Sequence, residues 1–99
     1  MAFQYNFEWD PNKAVENRRR HGIGFEQAAM VFRDKLAVSI YDEDHSEDEE
    51  RWITLGQPEN GSLIVVVHTY QEVSATEAVI RIISARPATR HEQRDYEQN

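Results

Sequence analysis

An α+β fold, with an antiparallel sheet and helices drawn from the two ends of the chain, follows from three features of the sequence. Apolar residues alternate in several short runs, beginning with Phe3, Tyr5, Phe7 and Trp9 separated by Gln4, Asn6 and Glu8, which is the period of a half-buried strand. Phe25, Ala28, Ala29 and Phe32 recur at i, i+3, i+4 and i+7, the stripe of a helix with one buried face. The later apolar runs are joined by short links, and short links connect antiparallel neighbours.

The predicted element order is β-α-α-β-β-β-β-α. After the first strand, Asp10 can accept from orphan N–H groups at a helix start, and Pro11 costs nothing at the first helical position. The helix NKAVENRRRH is mostly polar, with Ala14 and Val15 as a thin apolar stripe. Arg18, Arg19, Arg20 and His21 in its last turn complement the helix dipole, and Gly22 can close it in a left-handed cap. Gly24 is a tolerable N-cap for the second helix. Leu36, Val38 and Ile40 alternate as a second strand. The runs Arg51 to Leu55 and Leu63 to Tyr70 are joined by GQPENGS, whose Pro58 and Asn60-Gly61 are turn signals, so they read as a hairpin. Glu72 to Glu77 reads as a turn and Val79 to Ala85 as a fifth strand. Pro87 breaks that strand, and Thr89 can cap a last helix running to about Glu97.

The 99 residues suit one domain, residues 1–99, with a modest core. There is no cysteine, which removes disulfide scaffolds, thiolate metal sites and thiol catalysis, and fits a reducing cytoplasm. MAFQYNFEWD lacks the basic start and apolar run of a signal peptide. The longest apolar run, Leu63 to Val67, is far short of the ~20 residues of a membrane helix.

The net charge of −7 is local: Asp42 to Glu50, DEDHSEDEE, holds seven acids and no Lys or Arg, so the remainder sums to zero. Such a segment repels nucleic acid at long range and suits a basic partner, or is simply a solvated loop.

The sequence holds no Gly-rich phosphate loop, no HExxH and no metal-ligand spacing among His21, His45, His68 and His91. No metal or cofactor is expected. His68, within VVVHTY, is either a satisfied sheet histidine or a proton-transfer group. Arg81 and Arg86 flank the last strand five positions apart, so on a regular strand they face opposite ways, while Ser84 and Arg86 share a face. Arginine offers a planar fork of donors to phosphate. If Arg86 begins the turn and Arg90 and Arg94 continue along the helix, the three converge near the sheet's end, or Glu92 and Asp95 neutralise them. Arg51, next to the acids, is either their ion-pair partner or a further arginine at the same edge. Tyr96 either packs on the sheet or offers a hydroxyl beside the arginines. Phe3, Tyr5, Phe7 and Trp9 read as core and contact surface before a base-stacking platform.

Three segments together resemble the BrnT toxins. FEWDPNKAVENRRRHGIGFEQAAMVF is similar to their opening, with its W-D-x-x-K-x-x-x-N and H-G-x-x-F-x-x-A spacing. DHSEDEERWITLG is similar to their acidic stretch leading into a strand, and RIISARPATRHEQRDYE to their closing strand and helix. The resemblance spans residues 7 to 97. It implies a RelE-like ribonuclease fold in a bacterial, cytoplasmic type II toxin–antitoxin system. The implied activity is metal-independent RNA cleavage by 2′-hydroxyl attack, which inhibits translation until a basic, DNA-binding BrnA-type antitoxin covers the toxin. Promoter DNA would be bound only through that antitoxin. On this resemblance Arg51 and Arg86, and less firmly Arg81, are phosphate and transition-state contacts. His68 or Glu92 is inferred to move protons. Lys13 and His21 match the opening pattern and, with Arg90, Arg94 and Tyr96, are candidate substrate contacts. The competing reading is a partner-binding module that keeps the fold without the chemistry. A metabolic enzyme acting on a small phosphate compound lacks any cofactor motif in its support.

Overall fold

The computed structural model describes residues 3–47, 49–59 and 61–98. Asp48 of the acidic stretch and Asn60 of the expected Asn60-Gly61 turn lie outside them. The elements are β1 (Gln4–Glu8), α1 (Pro11–His21), α2 (Phe25–Met30), β2 (Val38–Tyr41), β3 (Arg51–Gly56), β4 (Ile64–Thr69), β5 (Gln71–Glu72), β6 (Glu77–Pro87) and α3 (Arg90–Glu97). The α+β class is as expected from the sequence, and the helix starts fall where the capping residues put them. Asp10 accepts from the Asn12 N–H at 2.8 Å. Gly22 closes α1 at φ 72°, its N–H donating to the Arg18 carbonyl.

The strands form one sheet in the order β1-β6-β4-β3-β2, with β5 pairing β6 off this path. The antiparallel run expected after the helices is present as β2-β3, β3-β4 and β4-β6. β1 is added parallel to β6. The last strand extends beyond Val79–Ala85 at both ends, because Glu77 to Arg81 pair β1 on one flank while Ile82 to Pro87 pair β4 on the other. The expected Glu72–Glu77 turn is tightened, since Gln71 and Glu72 still pair β6 as β5.

α1 and α2 cover one face of the sheet. Phe25, Ala28 and Val31 pack with Ile64 and Val66 of β4 and Ile80, Ile82 and Ala85 of β6. These are among the least exposed side chains in the chain, and burying each apolar side chain contributes about 1.5–3 kcal/mol. The stripe expected on α1 is half right: Ala14 packs on the core, but Val15 is 61% exposed. Asn17, one turn on from Ala14, takes the buried place.

Asn17 does work that a strand would otherwise do. Its Nδ2 donates to the Ala85 carbonyl at 2.9 Å and to the Ile23 carbonyl at 3.1 Å, while its Oδ1 accepts from the Ala85 N–H at 3.0 Å. β1 ends at Glu8, opposite Arg81, so the next stretch of β6 has no paired strand on that side among the described residues. The amide of Asn17 supplies both a donor and an acceptor to that buried edge, which buried backbone groups require.

β6 also carries a bulge. Val67 pairs with Ser84 but His68 with Ile82, so Ile83 is an extra residue. The buried side of the strand accordingly changes from Ala78, Ile80 and Ile82 to Ala85. A bulge of one residue flips the alternation that follows it. The expectation that Arg81 and Arg86 face opposite ways is therefore corrected: both lie on the face away from α1 and α2.

Asn17→Ala removes three buried hydrogen bonds and strands the Ala85 N–H and carbonyl. It is expected to lower the unfolding free energy by about 3 kcal/mol, at 1–3 kcal/mol per stranded group. Urea denaturation measures it, and a loss below about 1 kcal/mol would contradict the role.

Candidate functional site

The outer face of the sheet, opposite α1 and α2, carries a row of polar residues across three strands. Arg51 opens β3 and stands opposite Thr69 of β4. Thr69 Oγ1 accepts from the backbone N–H of Arg81 on β6, at 3.3 Å. Directly opposed residues share a face, and strands lie about 4.8 Å apart, so the two arginine backbones are roughly 10 Å apart. Both side chains are half-buried. Arg51 Nε is buried with no hydrogen-bond partner among the described residues. Arg81 pairs with the Glu49 carboxylate.

The acidic segment folds back beside this row. Asp42 follows β2, and a single helical turn at Glu43–His45 reverses the chain. The Asp42 N–H donates to the Arg51 carbonyl at 2.9 Å, and the Ser46 hydroxyl accepts from the Arg51 N–H at 3.0 Å. These bonds hold the two ends of the segment together. His45 Nδ1 lies 3.0 Å from Asp42 Oδ2. A carboxylate only accepts, so Nδ1 carries the hydrogen and Nε2 is left outward. Asp44, His45, Glu47, Glu49 and Arg51 line one open cleft of about 290 Å³. Sequence reasoning passed over His45 as a loop histidine. The available signal was Asp42 three residues before it, the spacing that lets a carboxylate orient an imidazole on one turn.

The other end of the outer face is a clamp for α3. Arg86 donates to both oxygens of Glu92, each at 2.9 Å, and to the Pro87 carbonyl at 3.2 Å. Glu92 also closes a capping box, accepting from the Thr89 N–H at 2.8 Å while Thr89 Oγ1 accepts from the Glu92 N–H at 3.2 Å. The Arg86 hydrogen bonds, opposed by partial burial and supported by the Thr89 N–H, bring the Glu92 carboxyl down to about 2. Glu92 is thus ionised at neutral pH and fully engaged. One turn on, Tyr96 donates to Asp34 Oδ2 at 2.6 Å, and that bond pushes the phenol up to about 12. Asp34 also accepts from the Gln57 and Leu36 N–H groups. Partial burial raises its carboxyl, but the three hydrogen bonds together outweigh this and hold it below its ordinary value.

Glu92 and Tyr96 take the inner face of α3. Arg90 and Arg94, each two positions from Glu92, fall on the opposite side and are exposed. The expected convergence of Arg86, Arg90 and Arg94 is therefore not what the structure shows. The reason is the i,i+4 pair that anchors the helix.

His68 faces the helix side of the sheet and is 3% exposed. Its Nδ1 lies 2.9 Å from the Thr69 carbonyl, which only accepts, so the hydrogen sits there. Nε2 then accepts from the Thr54 hydroxyl at 2.6 Å, and Thr54 accepts from Ser39 at 2.7 Å. Burial lowers the His68 pKa, against a smaller opposing effect of the Thr69 carbonyl, so the imidazole is neutral. Tyr5, Phe32, Ser39, Trp52, His68 and Tyr70 line a cleft of about 220 Å³. Phe32 meets His68 edge-on at 4.8 Å, and Tyr5 meets Phe32 and Tyr70 at 6.2 and 6.5 Å.

Lys13 and His21 lie apart from both places. They line a groove of about 230 Å³ between α1 and the bulge of β6, with Glu16, Asn17, Arg20, Ile83 and Ser84. Among the described residues no group of three His, Cys, Asp or Glu side chains is placed to hold a metal ion. No helix among them is long and apolar enough to cross a membrane.

Residues 9–92 match the family described as BrnT, the ribonuclease toxin of type II toxin–antitoxin systems. Among solved structures, the chain is similar to the 1.1 Å crystal structure of the ribonuclease toxin BrnT from Brucella abortus. The TM-score is 0.59 at 22% identity, covering 88% of this chain and 100% of that one. That likeness is one of fold. No curated protein matches.

The Glu92 carboxyl, near 4.5 when unfolded and about 2 when folded, contributes stability that is complete above pH 4.5 and lost as pH falls toward 2. With the Arg86 side chain 43% exposed, solvent screening reduces the full linkage value to about 1–2 kcal/mol. Glu92→Gln is expected to lose that much at pH 7 and to flatten the decline between pH 4.5 and 2. Denaturation at a series of pH values measures both, and an unchanged acid limb would contradict the clamp.

Proposed function

The chain belongs to the BrnT family of ribonuclease toxins of type II toxin–antitoxin systems, and on that premise we propose that it is a metal-independent endoribonuclease whose reaction centre is Arg51, Arg81 and His45. The observation that carries this reading is the alignment of Arg51, Thr69 and Arg81 across three strands beside an imidazole held by Asp42. Cleavage of RNA through the 2′-hydroxyl has three needs: removal of its proton, stabilisation of negative charge on phosphorus, and protonation of the leaving oxygen.

In this reading His45 Nε2 takes the 2′-hydroxyl proton while Asp42 stabilises the imidazolium through Nδ1. The 2′-oxygen bonds to phosphorus and the bond to the 5′-oxygen breaks. The departing 5′-oxygen takes a proton from water, and the hydroxide so formed takes back the proton that His45 removed, which returns the imidazole to its starting state. The products are a 2′,3′-cyclic phosphate and a 5′-hydroxyl. Arg51 and Arg81 share the charge of the phosphorane, and guanidinium groups provide that without a cation. Arg86 and Glu92 hold α3 rather than substrate, and His68 keeps a structural bond chain. Lys13 offers positive charge and His21 a ring nitrogen to RNA at the α1 groove, and exposed Arg90 and Arg94 offer positive charge on α3.

A type II system supplies an antitoxin. We assign the acidic segment Asp42–Glu50 to a basic, DNA-binding antitoxin of the BrnA type, which would cover the same cleft. Promoter DNA is then met only through that partner, and free toxin arrests translation in the bacterial cytoplasm.

Purified chain freed of antitoxin is expected to cut a defined RNA in the presence of a chelator. Arg51→Gln, Arg81→Gln and His45→Ala should each slow cutting by about 10²-fold or more. Mapping of fragment ends by gel measures this. Cutting that needs added metal, or that survives in all three variants, would contradict the assignment.

A further inference from the structure

The cleft on the helix side of the sheet takes no part in the chemistry above, yet it has the features of a ligand site. α1 and α2 leave this end of the face open, and rings from separate elements line it: Tyr5 of β1, Phe32 after α2, Trp52 of β3 and Tyr70 after β4. Tyr41 of β2 stands beside Trp52, its ring 5.2 Å from the indole. Tyr5 and Tyr41 are 41% and 39% exposed, so aromatic surface is presented to solvent.

Three properties define the occupant. Among the described residues no charged side chain lines the cleft, and His68 there is neutral, so the match in charge is to an uncharged group. The volume of about 220 Å³ is below the roughly 300–1,000 Å³ of sites for drug-sized ligands, so it suits a single ring system. The polar groups of its lining include the Ser39 hydroxyl, whose donated hydrogen is committed to the Thr54–His68 chain while its lone pairs stay available, and Trp52 Nε1, a donor with no partner among the described residues. We propose that this cleft is a stacking subsite for one unpaired nucleobase of single-stranded RNA, with Tyr5 and Trp52 as the ring faces and Ser39 as an acceptor for a base N–H.

The proposal rests on the reading that RNA is the substrate, and it adds a determinant of which RNA is cut. Arg51 and Trp52 are consecutive in β3 and face opposite sides. The cleft and the arginine row thus open at the same end of the sheet, one on each face. The stacked base is one that flanks the scissile bond, not the reacting nucleotide. Stacking on aromatic side chains is tolerant of sequence because every base has a π-face, and every RNA base has an amino or imino N–H for the Ser39 oxygen, so the subsite selects an unpaired nucleotide beside the scissile bond, not a particular base.

The test uses a single-stranded DNA oligonucleotide, which lacks the 2′-hydroxyl and so cannot be cleaved by that route. An abasic strand of equal length is the control. Tryptophan fluorescence of the full chain follows binding. Trp9 packs against Phe25 in the core, and Trp52→Phe assigns the signal. Quenching is expected with the base-bearing strand, with affinity on the order of tenfold weaker for the abasic strand and for Tyr5→Leu, a change that keeps apolar cover at an exposed position. Equal affinity for the two strands, or no change in Tyr5→Leu and Tyr5→Ala, would overturn the subsite. Quenching by the antitoxin but by neither strand would overturn it as well, and would make the cleft a protein anchor. Base-dependent binding without RNA cleavage would uphold the subsite while refuting the ribonuclease centre.

Discussion

The architecture depends on how one strand, β6, is completed along both edges. It pairs β1 over its first half and β4 over its second. Past Arg81, where β1 ends, the flank of β6 that faces away from β4 would leave buried backbone groups unmatched. Asn17 closes that gap from a helix, using a side-chain amide as a one-residue strand. The bulge at Ile83 lies just before Ala85, so clamp and bulge are one local arrangement. Without the bulge, Arg86 would point into the helix-side core. With it, both arginines of the strand stay on the outer face and Ala85 fills the core. The charge pattern of the outer face therefore follows from a backbone irregularity and the buried amide beside it.

That face divides the work of its arginines by their partners. Arg86 is bound by two oxygens of a carboxylate that is itself fixed by a cap, a geometry that costs little further ordering and resists displacement. Arg81 is bound by a carboxylate from an exposed acidic segment, and Arg51 has a donor with no partner among the described residues. The Arg81–Glu49 pair is a single contact, and solvent-screened ion pairs of that kind are worth about 0–1 kcal/mol, so Arg81 is released more readily than the doubly bonded Arg86. The same acidic segment lowers the local potential and slows the approach of any polyanion. In the proposed reading it is also what draws a basic antitoxin to the site, so one segment tunes both encounters.

Much of this was legible in the sequence, and the limits are physical. Capping residues predict helix ends well because the signal is local: Asp10, Gly22 and Thr89 sit where they were expected. Alternation finds the strands. It misjudged the faces of Arg81 and Arg86 because a bulge leaves no trace in the apolar pattern I-I-S-A. Asn17 was unreadable as a core residue, since its partners lie in a strand 68 positions away. The arginines at four-residue spacing raised the idea of a phosphate hand. Glu92 and Tyr96 have the same spacing on the same helix, and only packing decides which pair turns inward. His45 needed the reversal of the loop to come beside Arg51, and no periodicity encodes that reversal.

The most direct test of the outer-face centre is to observe the guanidinium groups with RNA bound. A short RNA with 2′-O-methyl groups cannot be cleaved, and the Nε–H resonances of the arginines can be followed by NMR during its titration. The account predicts that Arg51 and Arg81 shift together and saturate at one affinity, while Arg86 keeps the signature of its Glu92 pair. Shifts confined to Arg86, Arg90 and Arg94, with Arg51 and Arg81 unmoved, would contradict it.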